Sequence, residues 1–185
     1  MRALLPILLA AAAVGCQGPK NINEVAEGLT KEMASRVRPL NDKLDPPAVP
    51  VPKNPPKTVD KVKVAAASAK IKTLKVEDIV VGSGRQIFPG ASVTVHYVGS
   101  LPDGFMFATS YGDKFEPFTF IYDPKDPAVI IGWMEGLKAM KVGGRRKLTI
   151  PARLAYGANP QPGSAIPPNA ALIFDVELIF VGGKP

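Results

Sequence analysis

The 185-residue chain has one cysteine, one histidine and one tryptophan. A single cysteine excludes a disulfide framework within the chain. One cysteine with one histidine excludes a zinc site of Cys/His type, and leaves a Cys–His nucleophilic pair only if Cys16 and His96 meet. No metal and no cofactor is expected. No Gly-x-Ser-x-Gly elbow is present, and a Ser–His–Asp hydrolase would have to use His96, which lies mid-strand where a structural hydrogen bond is the simpler role. A run long enough to span a bilayer needs about 20 apolar residues; the uncharged stretch from Ala3 to Val14 falls short of it. What is abundant is proline. Its 20 residues and the 17 glycines make 37 of 185, above the usual share of about 12%. The prolines are clustered rather than periodic, which excludes collagen. Hydrophobic residues at 46% and charged residues at 21% exclude wholesale disorder.

Residues 1–16 read as an export signal. Met1-Arg2 is a short basic start, and the apolar run ends at Ala13-Val14-Gly15-Cys16. Small residues directly before the only cysteine resemble the lipobox of bacterial lipoproteins, in which the cysteine becomes the lipidated first residue. Two readings stand: lipidation at Cys16, or an ordinary signal cleaved nearby with Cys16 incidental. Both make the mature protein extracytoplasmic; the first makes it a periplasmic protein held at the membrane by a lipid anchor. A lone cysteine outside the cytoplasm fits lipidation better than a disulfide.

Residues 17–70 read as a spacer. Ile22, Val25, Leu29, Met33, Val37, Leu40 and Leu44 recur at helical spacing, with Asn23 as a cap and Pro39 as a breaker. Such a helix can dimerise with a second copy or serve as a tether. Pro46, Pro47, Pro50, Pro52, Pro55 and Pro56 favour a semi-rigid polyproline II stretch. Residues 57–70, rich in Lys and Ala, read as flexible. The net charge is +7. Residues 71–185 hold 12 basic and 10 acidic side chains, so residues 1–70, with 11 and 6, carry +5 of it. A basic tail suits anionic lipid or cell-wall polymer. It lacks the interleaved aromatics of a nucleic-acid binder, so no nucleic acid is expected.

Residues 71–185 read as one α+β domain. Strands are expected over 76–81, 92–98, 115–122, 146–150 and 171–180, with an extended run resuming at 105–107 after the Leu101-Pro102-Asp103-Gly104 turn. In the last strand Leu172, Phe174, Val176, Leu178 and Phe180 should share one face. Trp133, Leu137 and Met140 mark one short helix over 133–140, stopped by Gly143-Gly144. The segment from Tyr156 to Ala170 is a Pro/Gly-rich loop. Lys141, Arg145, Arg146 and Lys147 read as a solvated basic surface, and Asp123 and Asp126 as turn residues.

In order along residues 76–181, these segments resemble the FKBP-type peptidyl-prolyl isomerases. The resemblance rests on Val95-His96-Tyr97-Val98-Gly99, Leu101-Pro102-Asp103-Gly104 with Phe107, the run from Val129 to Leu137, Ala155-Tyr156-Gly157, Ile166-Pro167-Pro168-Asn169-Ala170, and the run from Leu172 to Leu178. It implies a twisted antiparallel sheet of five or six strands wrapped around one short helix. It also implies an enzyme that rotates X–Pro bonds. Tyr97, Phe107, Trp133, Tyr156 and Phe174 take the catalytic positions, with Trp133 as the floor. Phe118, Val129, Ile130 and Ile166 take substrate-binding positions. The Ile130 N–H and the Tyr156 hydroxyl become donors to substrate carbonyls. The implied partners are proline-containing segments of exported proteins. Where the family usually has an Asp after the pocket Phe, this chain has Ala108, which should weaken macrolide binding. The alternative is an FKBP-like peptide-binding or chaperone module with weak or no turnover.

Overall fold

The computed structural model describes residues 49–111 and 116–184. The signal segment, Cys16 and the helical stripe from Ile22 to Leu44 lie outside the described residues. In chain order the elements are helix α1 (Lys61–Ser68), strands β1 (Lys75–Val80), β2 (Ala91–Ser100), β3 (Met106–Thr109) and β4 (Phe118–Tyr122), helix α2 (Ile131–Gly136), β5 (Arg145–Ile150), a 3-10 turn (Ala152–Leu154) and β6 (Leu172–Gly182). The six strands form one antiparallel sheet in the order β1-β5-β6-β2-β3. The fourth strand, β4, pairs with the first half of β2.

Period-two alternation builds this sheet. In β2 Val93 and Val95 are fully buried; in β6 so are Leu172, Val176 and Leu178, with Phe174 nearly so. The alternation in β6 changes phase near its end. The register with β2 slips, from Val95 opposite Leu178 to Thr94 opposite Phe180. The extra residue of this bulge turns Phe180 off the core face, and Val181 is buried in its place.

Helix α2 is shorter than the sequence spacing predicts. It ends at Gly136, and Ala139 takes a left-handed backbone (φ 59°). Leu137 and Met140 still reach the core, through a turn closed by Met140 N–H to the Leu137 carbonyl at 3.0 Å. Arg146 explains the early stop. Its guanidinium donates to the carbonyls of Gly136 and Lys138 at 3.0 and 2.9 Å, and it pairs with Asp78. The helix lies close against β5 because Gly132 has no side chain to meet Ile150.

The basic cluster is therefore not a solvated surface at its centre. Arg145 is only 8% exposed and holds Asp175 through two hydrogen bonds, 2.8 Å from Nε and 2.7 Å from an NH2 nitrogen. The hydrogen bonds to Asp175 hold the Arg145 guanidinium above its ordinary pKa.

Residues 57–70 also differ from expectation. Asp60 caps α1 by accepting the Lys63 N–H at 3.0 Å. Its own N–H donates to Asp103 Oδ2 at 2.8 Å, in the turn between β2 and β3. Val64 enters the core with 1% exposure. Ser68 Oγ accepts the N–H of Ala171, at the mouth of β6, at 2.8 Å. The helix is thus joined to two segments far away in sequence. Ala171 is fully buried, so Ser68→Ala strands its N–H. The expected cost is about 1–3 kcal/mol, read from urea unfolding. An unchanged midpoint would mean that α1 does not dock in solution.

Candidate functional site

Ten residues surround a cavity of about 230 Å³ between the sheet and the segment around α2. Strand β2 supplies Tyr97, which sits where β4 has ended and β3 has not yet begun: Val95 is the last residue paired to β4 and Val98 the first paired to β3. Strand β3 supplies Phe107 and Ala108, β4 supplies Phe118, and β6 supplies Phe174. Ala128, Val129 and Ile130 precede α2, Trp133 stands on it, and Tyr156 follows the 3-10 turn.

The aromatic rings hold one another edge to face. Trp133 lies 5.2 Å from Phe174, 5.4 Å from Tyr97, 5.8 Å from Phe120 and 6.1 Å from Phe118, centroid to centroid. Such pairs add about 0.5–1.5 kcal/mol each beyond simple burial. Phe107 meets Phe174 at 5.6 Å and 89°. That contact needs Gly99. A Cβ there would come within 2.8 Å of Phe107 and 2.9 Å of Phe174.

None of the lining residues carries a charge. Burial, and then the nearby Tyr156 phenol, push the Tyr97 hydroxyl above its ordinary pKa, so it stays protonated. The Tyr156 ring is 39% exposed, and its hydroxyl has no hydrogen-bond partner among the described residues. The Ile130 N–H, just ahead of α2, is also without an acceptor among them. Trp133 Nε1–H is buried with no partner. The site is thus an apolar cup with unused donors and no nucleophile–base pair. It can desolvate a flat apolar group and position its carbonyls; it cannot by itself attack a bond.

Eight of the nine aromatic and aliphatic positions named from the sequence line this cavity. Ile166 does not; it is half-buried and packs against the core beside it. Ala128 was not anticipated. It directly precedes Val129, and a small side chain there leaves no apolar signal to read. His96 points to the other face of β2, with Nδ1 3.0 Å from Ser110 Oγ and its ring stacked on Tyr111 at 4.6 Å. That is the structural role expected of it. Asp123 accepts the Lys125 N–H at 2.9 Å in a turn, also as expected.

Comparison with known proteins agrees with this geometry. The family model for FKBP-type peptidyl-prolyl cis-trans isomerase matches residues 83–179. The chain belongs to that family. It is 50% identical over 108 residues to the peptidyl-prolyl cis-trans isomerase FKBP1A of Xenopus laevis, covering 57% of this chain and 95% of that protein. It is 52% identical over 106 residues to FK506-binding protein 4 of Dictyostelium discoideum, covering 57% of this chain but only 28% of that longer relative. The crystal structure of FkpA from Escherichia coli aligns with a TM-score of 0.56 and 32% identity, over 89% of this chain and 75% of that one. This FKBP domain is an enzyme domain of the peptidyl-prolyl cis–trans isomerase class.

Gly99 offers a test of the packing. Gly99→Ala must push Phe107 or Phe174 aside, and overpacking of this kind costs about 1–3 kcal/mol. Because Trp133 is the only tryptophan and lies against Phe174, its fluorescence should shift in the folded variant. An unaltered spectrum and melting temperature would contradict the ring contacts.

Proposed function

We propose that this FKBP domain accelerates X–Pro rotation in exported proteins, by desolvating the bond in the apolar cup and holding its neighbouring carbonyls. The observation that carries this reading is the uncharged, aromatic-walled cavity with two unused donors at its rim. Resonance flattens the peptide bond and opposes rotation with a barrier of about 18–20 kcal/mol. Rotation breaks no bond, so the chemistry needs no nucleophile and no metal. The planar amide is more dipolar than the twisted transition state. An apolar wall of Tyr97, Phe107, Phe118, Val129, Trp133 and Phe174 therefore raises the ground state more than the transition state. The Ile130 N–H and the Tyr156 hydroxyl donate to flanking carbonyls, holding the segment while the bond turns.

Ala108 gives the second reading its support. A methyl group occupies the position where a carboxylate would add an acceptor at the cavity wall. A cup with fewer polar contacts can hold proline segments while turning them over slowly. Protease-coupled proline-peptide kinetics separate the two readings.

Tyr156→Phe removes one hydroxyl from a cavity-lining residue, a hydroxyl with no hydrogen-bond partner among the described residues. One hydrogen bond is worth about 0.5–1.5 kcal/mol, so kcat/KM should fall roughly two- to thirteenfold with an unchanged melting temperature. Full activity with a lowered melting temperature would make the hydroxyl structural.

Export and anchoring rest on residues 1–16, outside the described residues. Lipid at Cys16 would hold the isomerase at the periplasmic side of a membrane, since acyl chains supply the affinity. Cys16→Ala should then move the protein from the detergent phase to the aqueous phase. Equal partitioning of the two proteins would leave Cys16 incidental to an ordinary signal.

A further inference from the structure

A second cleft, of about 470 Å³, lies between α1 and the turn that carries Tyr156. One wall is Ala65 on α1 and Ala69 at its C-cap, with Lys72 just beyond; the other is Arg153 in the 3-10 turn with Pro168 and Asn169. Its floor and sides are small and apolar, and it holds two cations and no carboxylate. Neither Lys72 nor Arg153 has an ion pair or hydrogen-bond partner among the described residues. The backbone along the walls is already paired: Gly157 N–H to the Ala152 carbonyl at 2.9 Å, Asn169 N–H to the Gly157 carbonyl at 2.7 Å, Ala171 N–H to Ser68 Oγ at 2.8 Å. Among the described residues the unpaired polar side chains of the cleft include the two cations and the Asn169 amide, and only the cations carry charge.

The segment from Pro151 to Tyr156 supplies residues to both the cleft and the aromatic cup. Arg153 lines one and Tyr156 the other, three residues apart on a turn closed by the Ala152–Gly157 hydrogen bond. Three residues span at most about 10 Å. A polypeptide with its proline in the cup that runs along this turn would reach Arg153 within about five residues.

We infer that this cleft is a second client-binding subsite, which takes an Asp or Glu carboxylate of the same polypeptide a few residues from the proline being turned. The inference rests on the isomerase reading and deepens it: the cleft adds a preference for acidic flanks to a cup that carries no charge. Two cations flanking an apolar groove are complementary to a carboxylate on a chain of small side chains. The contacts are solvent-exposed, so their effect is modest and screened by salt.

The test uses the full chain and paired peptides that carry Glu or Gln at each of positions two to five residues from a central proline, on either side. At low salt the best Glu peptide should be turned over about two- to fivefold faster, in kcat/KM, than its Gln partner. The double variant Lys72→Gln with Arg153→Gln should bring that ratio to one while leaving the Gln peptides unchanged. If no peptide is turned over, the isomerase reading fails and the cleft is still tested: the same Glu/Gln ratio is read in peptide affinity from Trp133 fluorescence. A ratio of one in the wild type, a ratio untouched by the double variant, or an equal loss on every peptide would each overturn the proposal. So would an unaltered ratio together with lost binding to vesicles containing anionic phospholipid, which would make the cleft a headgroup site.

Discussion

The edge-on contact between Trp133 and Phe174, 5.2 Å between ring centroids, joins the helix to the sheet and sets the floor of the cavity. Each ring reaches that contact from a different direction. Trp133 comes from a helix of six residues that presses on β5 through Gly132. Phe174 comes from the longest strand, paired on both sides, to β5 and to β2. Tyr97 and Phe107 then lean on Phe174, and Phe118 and Phe120 on Trp133. Aromatic side chains have two rotatable bonds and prefer offset or perpendicular partners, so a ring set of this kind is stiff. Stiffness is what keeps a cup open that collapse would otherwise fill.

The support for Phe174 lies behind the sheet as well as in front of it. Asp175 is its neighbour in sequence and so points to the opposite face. There Arg145 grips it with two hydrogen bonds. Tyr111 donates to Glu177 at 3.0 Å on the same face, and accepts the Val49 N–H at 3.3 Å. Burial, followed by the Glu177 and Asp175 carboxylates, holds the Tyr111 hydroxyl far above its ordinary pKa, so it remains a donor. Breaking a largely buried pair such as Arg145–Asp175 on one side only costs about 3–5 kcal/mol. The polar back of β5 and β6 thus fixes the register that the apolar front relies upon.

What could be read from residues alone was what depends on local period and on motif. The alternation in β2 and in β6 up to Leu178 is a property of consecutive residues, and the aromatic positions around the cup came with the family resemblance. Three features depended on partners distant in the chain. Arg146 finds Asp78, 68 residues earlier, and the carbonyls of Gly136 at the helix end and Lys138 just beyond it; nothing near Arg146 announces either. The phase change after Leu178 exists only because β2 slips against β6 at Thr94, and a bulge leaves no mark in the pattern of one strand. Helix α1 offers one core side chain, Val64, while Val62 stays 79% exposed, so no apolar stripe distinguishes it from a flexible Lys/Ala stretch.

Helix α1 also shows how an appended segment gains influence over a site it does not touch. It contributes no atom to the aromatic cup. Yet Asp60 N–H meets Asp103, whose other carboxylate oxygen accepts the Phe105 N–H at 3.0 Å, in the turn that leads into β3 and Phe107. At its other end, Ser68 meets Ala171, three residues before Phe174. The helix therefore ties together the starts of two strands whose rings, Phe107 and Phe174, face each other over Gly99. On the proposed mechanism, rotation depends on the shape and dryness of the cup and on the placement of its donors. Holding two strand ends at a fixed separation is then a contribution to the reaction as direct as a side chain in the wall.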